Sequence, residues 1–168
     1  VLLVMLNYFL GLIIIFDNYL SEEGGRFFHD VNRNLMLLVD DDFATNHYHE
    51  IMLKEWGVTE EIYKVGNGEE ALEFLRTHHC EKPSLIMLDI NMPEMDGIAA
   101  TELLTARVPT TSVVMMSVQG EADYLRRSML AGAREFLVKP FSSDELTASI
   151  RQVWTREKEK QSRFAPVV

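Results

Sequence analysis

The chain is expected to fold as a doubly wound α/β domain around a five-stranded parallel sheet, and three observations carry that expectation. First, the runs at 35–39, 85–88 and 113–116 are uninterruptedly apolar, which marks strands buried on both faces. Second, each run is followed by a helix-like segment, and strands alternating with helices build parallel crossover units. Third, polar residues stand where the strands end: Asp40, Asp89, Ser117 and Lys139. In open sheets of this kind, ligands and chemistry occupy the crevice outside the carboxyl ends of the strands.

The first strand, 35–39, ends in Asp40-Asp41-Asp42. Three adjacent acids repel one another and favour protonation unless a cation sits among them. They therefore offer hard oxygen donors to Mg²⁺ or a similar ion, which uses one or two carboxylates. The competing reading is that Asp42 caps the next helix and the other two are solvated. That helix is expected over 44–56, burying Ala44, Tyr48, Ile51, Met52 and Trp56 and stopping at Gly57. His47 and His49 are two apart, cannot chelate together, and are placed at the surface or rim.

A short strand at 61–65 leads into Gly66-Asn67-Gly68. This is taken as a turn, because the third glycine of a dinucleotide fingerprint is missing and the first strand does not precede it. The next helix, 69–78, packs through Ala71, Leu72 and Leu75. His78-His79-Cys80 at its end is read as an exposed helix terminus, since adjacent positions diverge on a helix. The third strand delivers Asp89 and is followed by the Pro93-Glu94-Met95-Asp96-Gly97 loop and a helix over 98–106. The fourth delivers Ser117, ahead of a helix over 121–131 that closes at Gly132. The last strand, 135–138, delivers Lys139-Pro140. A final helix starts near Ser143, with Asp144 in its first turn. It runs through Leu146, Ile150 and Val153 into a stretch charged on all sides, expected to leave the domain as an exposed helix or linker over 157–168. One helix between successive strands and no Gly-rich loop favour the flavodoxin-like (βα)5 strand order 2-1-3-4-5.

The domain is thus expected over 34–156 of the 168 residues. Net charge of −10 offers no basic field for nucleic acid. The single cysteine, Cys80, excludes an internal disulfide framework and suits a reducing, cytoplasmic setting. Residues 1–16 are apolar except for Asn7 and Gly11. As a helix they would reach only about 24 Å, short of the roughly 30 Å hydrocarbon core. Without a positive start or small-residue cleavage site they make a poor signal peptide. They are left as an apolar leader that is extraneous to the fold, touches a membrane or packs on a partner, joined by a linker over 17–33.

Three acids, a hydroxyl and a lysine at four strand ends suit phosphoryl chemistry. Carboxylates hold the metal, the metal screens the incoming phosphoryl group, and the lysine and hydroxyl bind its oxygens. A carboxylate can itself be the nucleophile that forms an acyl phosphate, and Asp89 is central in the set.

On these motifs the sequence resembles the receiver domain of two-component response regulators over about 34–156. Leu37-Leu38-Val39-Asp40-Asp41-Asp42 resembles the family's first-strand acid pair. The segment from Leu85 to Gly97 is similar to its phosphoacceptor strand and loop. Met115-Met116-Ser117 takes the place of its hydroxyl-bearing strand end, and Gly132 to Phe141 is similar to its closing signature. The resemblance implies that Asp89 accepts a phosphoryl group from a phosphohistidine on a sensor histidine kinase or phosphotransfer protein. It implies that Asp41, Asp89 and the Asn91 carbonyl bind Mg²⁺, with Asp40 assisting through water. It further implies that Lys139, preceding a cis Pro140, pairs with the acyl phosphate. Ser117 would move toward the phosphoryl oxygens and Phe136 would turn inward, changing the partners of the surface formed by the fourth helix, last strand and last helix. These partners include a downstream output domain or protein and a second copy in a homodimer.

Departures from the family pattern are few: Ser117 for the commoner Thr, Val118 for Ala, and Phe136 for Tyr. Asn91 and Gln119 stand where the family tunes dephosphorylation. No enzyme turnover beyond self-phosphorylation and self-dephosphorylation is implied. A haloacid-dehalogenase-type phosphatase would need a general acid two residues after Asp89, which Asn91 cannot supply. A pseudo-receiver interaction module is the other alternative, and the intact Asp40, Asp41, Asp89, Ser117 and Lys139 argue against it. The chain could also be the receiver part of a longer regulator with an ATPase or DNA-binding output.

Overall fold

In the computed structural model, residues 35–59, 61–78, 82–120 and 122–163 are described. The apolar leader and its linker lie outside them, as do His79, Cys80 and residues 164–168. Strands and helices alternate as expected: β1 (Met36–Val39), α1 (Phe43–Glu55), β2 (Ile62–Val65), α2 (Gly68–Thr77), β3 (Leu85–Asp89), α3 (Gly97–Arg107), β4 (Ser112–Ser117), α4 (Ala122–Leu130), β5 (Glu135–Val138) and α5 (Ser143–Arg163). The five strands form one parallel sheet in the order β2-β1-β3-β4-β5.

Alternation along the buried strands divides the core in two. Leu37, Val39, Ile86, Leu88, Val113 and Met115 face α2 and α3. Met36, Leu38, Met87, Val114, Met116 and Leu137 face α1 and α5. The register brings the functional ends level. Val39 pairs with Leu88, so Asp40 follows on one strand where Asp89 follows on the next. Ser117 pairs with Val138, so Lys139 emerges beside the end of β4.

Two expectations change. The buried face of α1 is Asn46, His49, Met52 and Leu53, whereas Tyr48, Ile51 and Trp56 are exposed and Ala44 is exposed as well. His49 is therefore an interior residue. The Gly66-Asn67-Gly68 turn is also a helix start, in which the Asn67 side chain accepts from Glu70 N at 2.8 Å and Glu70 accepts from Gly66 N at 2.7 Å. These reciprocal bonds satisfy two backbone donors at the start of α2.

The charged end of α5 continues as helix to Arg163. Two crossed ion pairs tie it to the start of β5: Arg134 with Glu157 at 3.2 Å and Arg156 with Glu135 at 3.6 Å. Among the described residues, no helix is long and apolar enough to cross a membrane.

Candidate phosphoacceptor site

Asp40 and Asp89 are almost completely buried, 3% and 6% exposed, at adjacent strand ends. Lys139 Nζ donates to Asp40 Oδ2 at 2.6 Å and to Asp89 Oδ1 at 2.7 Å. The second oxygen of each carboxylate accepts from the backbone N–H two residues ahead: Asp42 N for Asp40 and Asn91 N for Asp89, at 2.9 and 2.8 Å. Each acid is thus held by its own turn on one side and by a shared ammonium on the other.

Burial pushes the Asp89 carboxyl above its ordinary range, and the hydrogen bond and charge of Lys139 pull it back only in part. Burial by itself would lower Lys139, but hydrogen bonds to Asp40 and Asp89 outweigh it and raise the ammonium above its usual value. Two carboxylates and one ammonium leave the crevice short of one positive charge, which is the electrostatic condition for taking up a cation.

The other acids of the first-strand run divide. Asp42 caps α1, accepting from Ala44 N at 2.9 Å and from Thr45 Oγ1 at 2.8 Å. Those bonds hold its carboxyl below the usual range. Asp41 is exposed. Among the described residues no three Asp, Glu, His or Cys side chains form a ready metal cage. The converging pair Asp40 and Asp89, with Asp41 and the Asn91 carbonyl nearby in sequence, is nonetheless an all-oxygen donor set. It fits an ion that keeps several waters and uses one or two carboxylates.

Ser117 is fully buried. Its Oγ accepts from Gln119 N at 3.0 Å, and its carbonyl accepts from Lys139 N at 2.7 Å. The backbone that carries the lysine is therefore pinned to the strand that carries the hydroxyl. Phe136 is half-buried against the core on the α2 and α3 side. Asn91 is exposed and meets Asp89 through its backbone N–H. The Lys139–Pro140 peptide is cis.

Gly97 starts α3 directly behind the site. A Cβ there would lie 2.2 Å from the Asp89 carbonyl oxygen and 2.8 Å from Ile90 Cα. Only glycine allows that approach of two backbones.

Reading the sequence did not find Asn46 or His49 as part of this region. Asn46 Nδ2 donates to the Asp40 carbonyl at 2.9 Å and to the Val65 carbonyl at 3.2 Å. His49 stacks on Phe141. The signal was their spacing: 46, 49 and 53 share one helical face, although two of them are polar.

Comparison with known proteins points to one family. The family model described as response regulator receiver domain matches residues 36–151. The chain is 33% identical over 123 residues to the cell cycle transcriptional regulator CtrA of Caulobacter vibrioides, covering 73% of this chain and 51% of that protein. It thus spans about half the length of that relative. It is 31% identical over 118 residues to the chemotaxis protein CheY of Listeria monocytogenes, covering 70% of this chain and 97% of that one. Among solved structures, the signal receiver domain of a putative Luxo repressor protein from Vibrio parahaemolyticus is similar, with TM-score 0.68 and 26% identity over 80% of this chain and 99% of that one. So is a chain of the CheX-CheY-BeF3-Mg complex from Borrelia burgdorferi, with TM-score 0.67 and 26% identity over 72% and 89%.

Proposed function

The chain belongs to the response regulator receiver domain family, signalling domains of two-component systems, and from that premise we propose that Asp89 is its phosphoacceptor. An Asp89 carboxylate oxygen attacks the phosphorus of a phosphohistidine on a sensor kinase or phosphotransfer protein. The P–N bond breaks as the acyl phosphate forms, and the electron pair stays with the donor imidazole.

The observation that carries this reading is the Lys139 ammonium, held 2.6 and 2.7 Å from two buried carboxylates at adjacent strand ends. It is already at the place where negative charge accumulates during transfer. Asp41, Asp89 and the Asn91 carbonyl would hold Mg²⁺, with Asp40 assisting through water. A bound Mg²⁺ supplies charge screening for the phosphoryl oxygens. Once the acyl phosphate exists, Lys139 exchanges its bond to Asp89 for a phosphoryl oxygen, and the Ser117 hydroxyl turns toward the same group. Phe136 then moves inward, and the surface of α4, β5 and α5 changes its affinity for an output domain, a target protein or a second copy of the chain.

Thermal unfolding with millimolar Mg²⁺, followed by beryllofluoride as an acyl-phosphate mimic, tests this. At about 100 times its dissociation constant a ligand adds about 2.7 kcal/mol of stability. Wild type should show an Mg²⁺ shift, a further beryllofluoride shift and covalent labelling by acetyl phosphate. Asp89→Asn should lose the second shift and the labelling while remaining folded. Labelling that survives in Asp89→Asn would place the acceptor elsewhere.

A further inference from the structure

Lysine carries its charge on a flexible four-carbon stem, so where the ammonium sits depends on how firmly the backbone beneath it is held. On one side Lys139 is anchored, because its N–H donates to the Ser117 carbonyl at 2.7 Å. On the other side comes Pro140, which has no N–H to anchor. The next fixed point along the chain is the ring of Phe141, buried in the cluster of Met52, Leu53, Leu146 and Ile150. His49 covers that ring. The imidazole lies nearly parallel to it, with centroids 5.0 Å apart and an interplanar angle of 16°, and is itself only 4% exposed.

His49 stands one turn of α1 beyond Asn46, whose amide holds the Asp40 carbonyl. One helix therefore braces both partners of the buried ion pair, the acid through Asn46 and the lysine's turn through His49. The imidazole Nδ1 has no hydrogen-bond partner among the described residues.

We propose that His49 is a positioning residue which, acting through Phe141, holds the Lys139-Pro140-Phe141 turn so that the Lys139 ammonium stays between Asp40 and Asp89. This rests on the reading of Asp89 as phosphoacceptor. Burial drives the His49 pKa from 6.5 to about 4, so at neutral pH the ring supports the turn without placing a second cation beside Lys139.

The test compares wild type, His49→Phe, His49→Leu and His49→Ala in the full chain. It uses acetyl-phosphate labelling rates and beryllofluoride affinity. Phenylalanine keeps the flat face, leucine keeps the volume without it, and alanine keeps neither. His49→Phe should label within about twofold of wild type, whereas His49→Leu and His49→Ala should fall about tenfold in rate and in beryllofluoride affinity. Should His49→Ala fail to fold, the contrast between leucine and phenylalanine still decides. Wild-type behaviour of His49→Leu, or equal impairment of His49→Phe, would overturn the positioning role while leaving Asp89 untouched. A wild-type protein inert to acetyl phosphate and beryllofluoride would instead remove the phosphoacceptor reading, and the positioning role with it.

Discussion

Lys139→Ala removes the ammonium bonded to both buried carboxylates. Deleting one partner of a buried pair leaves an uncompensated charge and costs about 3–5 kcal/mol. For a domain of this size that lowers the unfolding midpoint by about 10–15 °C near pH 7.5. The loss should depend on pH with a definite sign. Asp89 is pushed above its ordinary value of 3.8 by burial, and Lys139 is the main influence pulling it down. Without the lysine its folded pKa rises further. The folded state then binds more protons than the unfolded chain between the ordinary value and the new one, so the variant gains stability as pH falls through that window. Urea unfolding near pH 7.5 and near pH 5 should show a large deficit that shrinks on acidification. Replacing the second charge in Lys139→Ala/Asp89→Asn should recover about 2 kcal/mol, because only Asp40 remains unpaired. Millimolar Mg²⁺ should stabilise Lys139→Ala more than wild type, since no ammonium competes for the carboxylates. A variant within about 1 kcal/mol of wild type near pH 7.5, or one equally destabilised at both pH values, would refute the account of a buried, mutually dependent charge cluster.

Three further outcomes are expected. Gly97→Ala places a Cβ 2.2 Å from the Asp89 carbonyl oxygen; neither backbone can yield, so it should cost about 3 kcal/mol and slow acetyl-phosphate labelling, and an unchanged urea midpoint would refute the tight approach. With its folded pKa near 4 against 6.5, His49 binds fewer protons in the folded chain, so wild type should lose up to about 3 kcal/mol relative to His49→Phe as pH falls from 6.5 to 4; parallel stability–pH curves would contradict its burial. Arg134→Glu should speed amide exchange over 156–163 at the end of α5 by weakening a pair worth about 1 kcal/mol at most, and adding Glu157→Arg should restore protection, whereas unchanged exchange would mean the helix end is not held by its ion pairs.

The strands were legible because a parallel strand buried on both faces tolerates almost nothing polar, so Leu37-Leu38-Val39 and Leu85-Ile86-Met87-Leu88 declare themselves. The strand order followed from one helix between successive strands. Helix α1 was less legible. Phe43, Tyr48 and Ile51 are apolar yet exposed, while Asn46 and His49 are polar yet buried, so its hydrophobic pattern points to the wrong phase. Asn46 is inside because it satisfies the carbonyls of Asp40 and Val65, and His49 because an aromatic face is needed against Phe141. Both needs arise from neighbours far along the chain, which local periodicity does not record.

The functional residues divide in the same way. Residue type and position at a strand end mark Asp40, Asp89, Ser117 and Lys139 from sequence alone, because a parallel sheet carries all its strand ends to one edge. What the tertiary structure alone decided is which of them meet. Asp42 turns away to cap α1, Asp41 stays in solvent, and Lys139, 99 residues from Asp40 and 50 from Asp89, joins those two acids. Composition and spacing determine which side chains reach the edge of the sheet. Register, burial and the competition for a single ammonium determine which of them form the site.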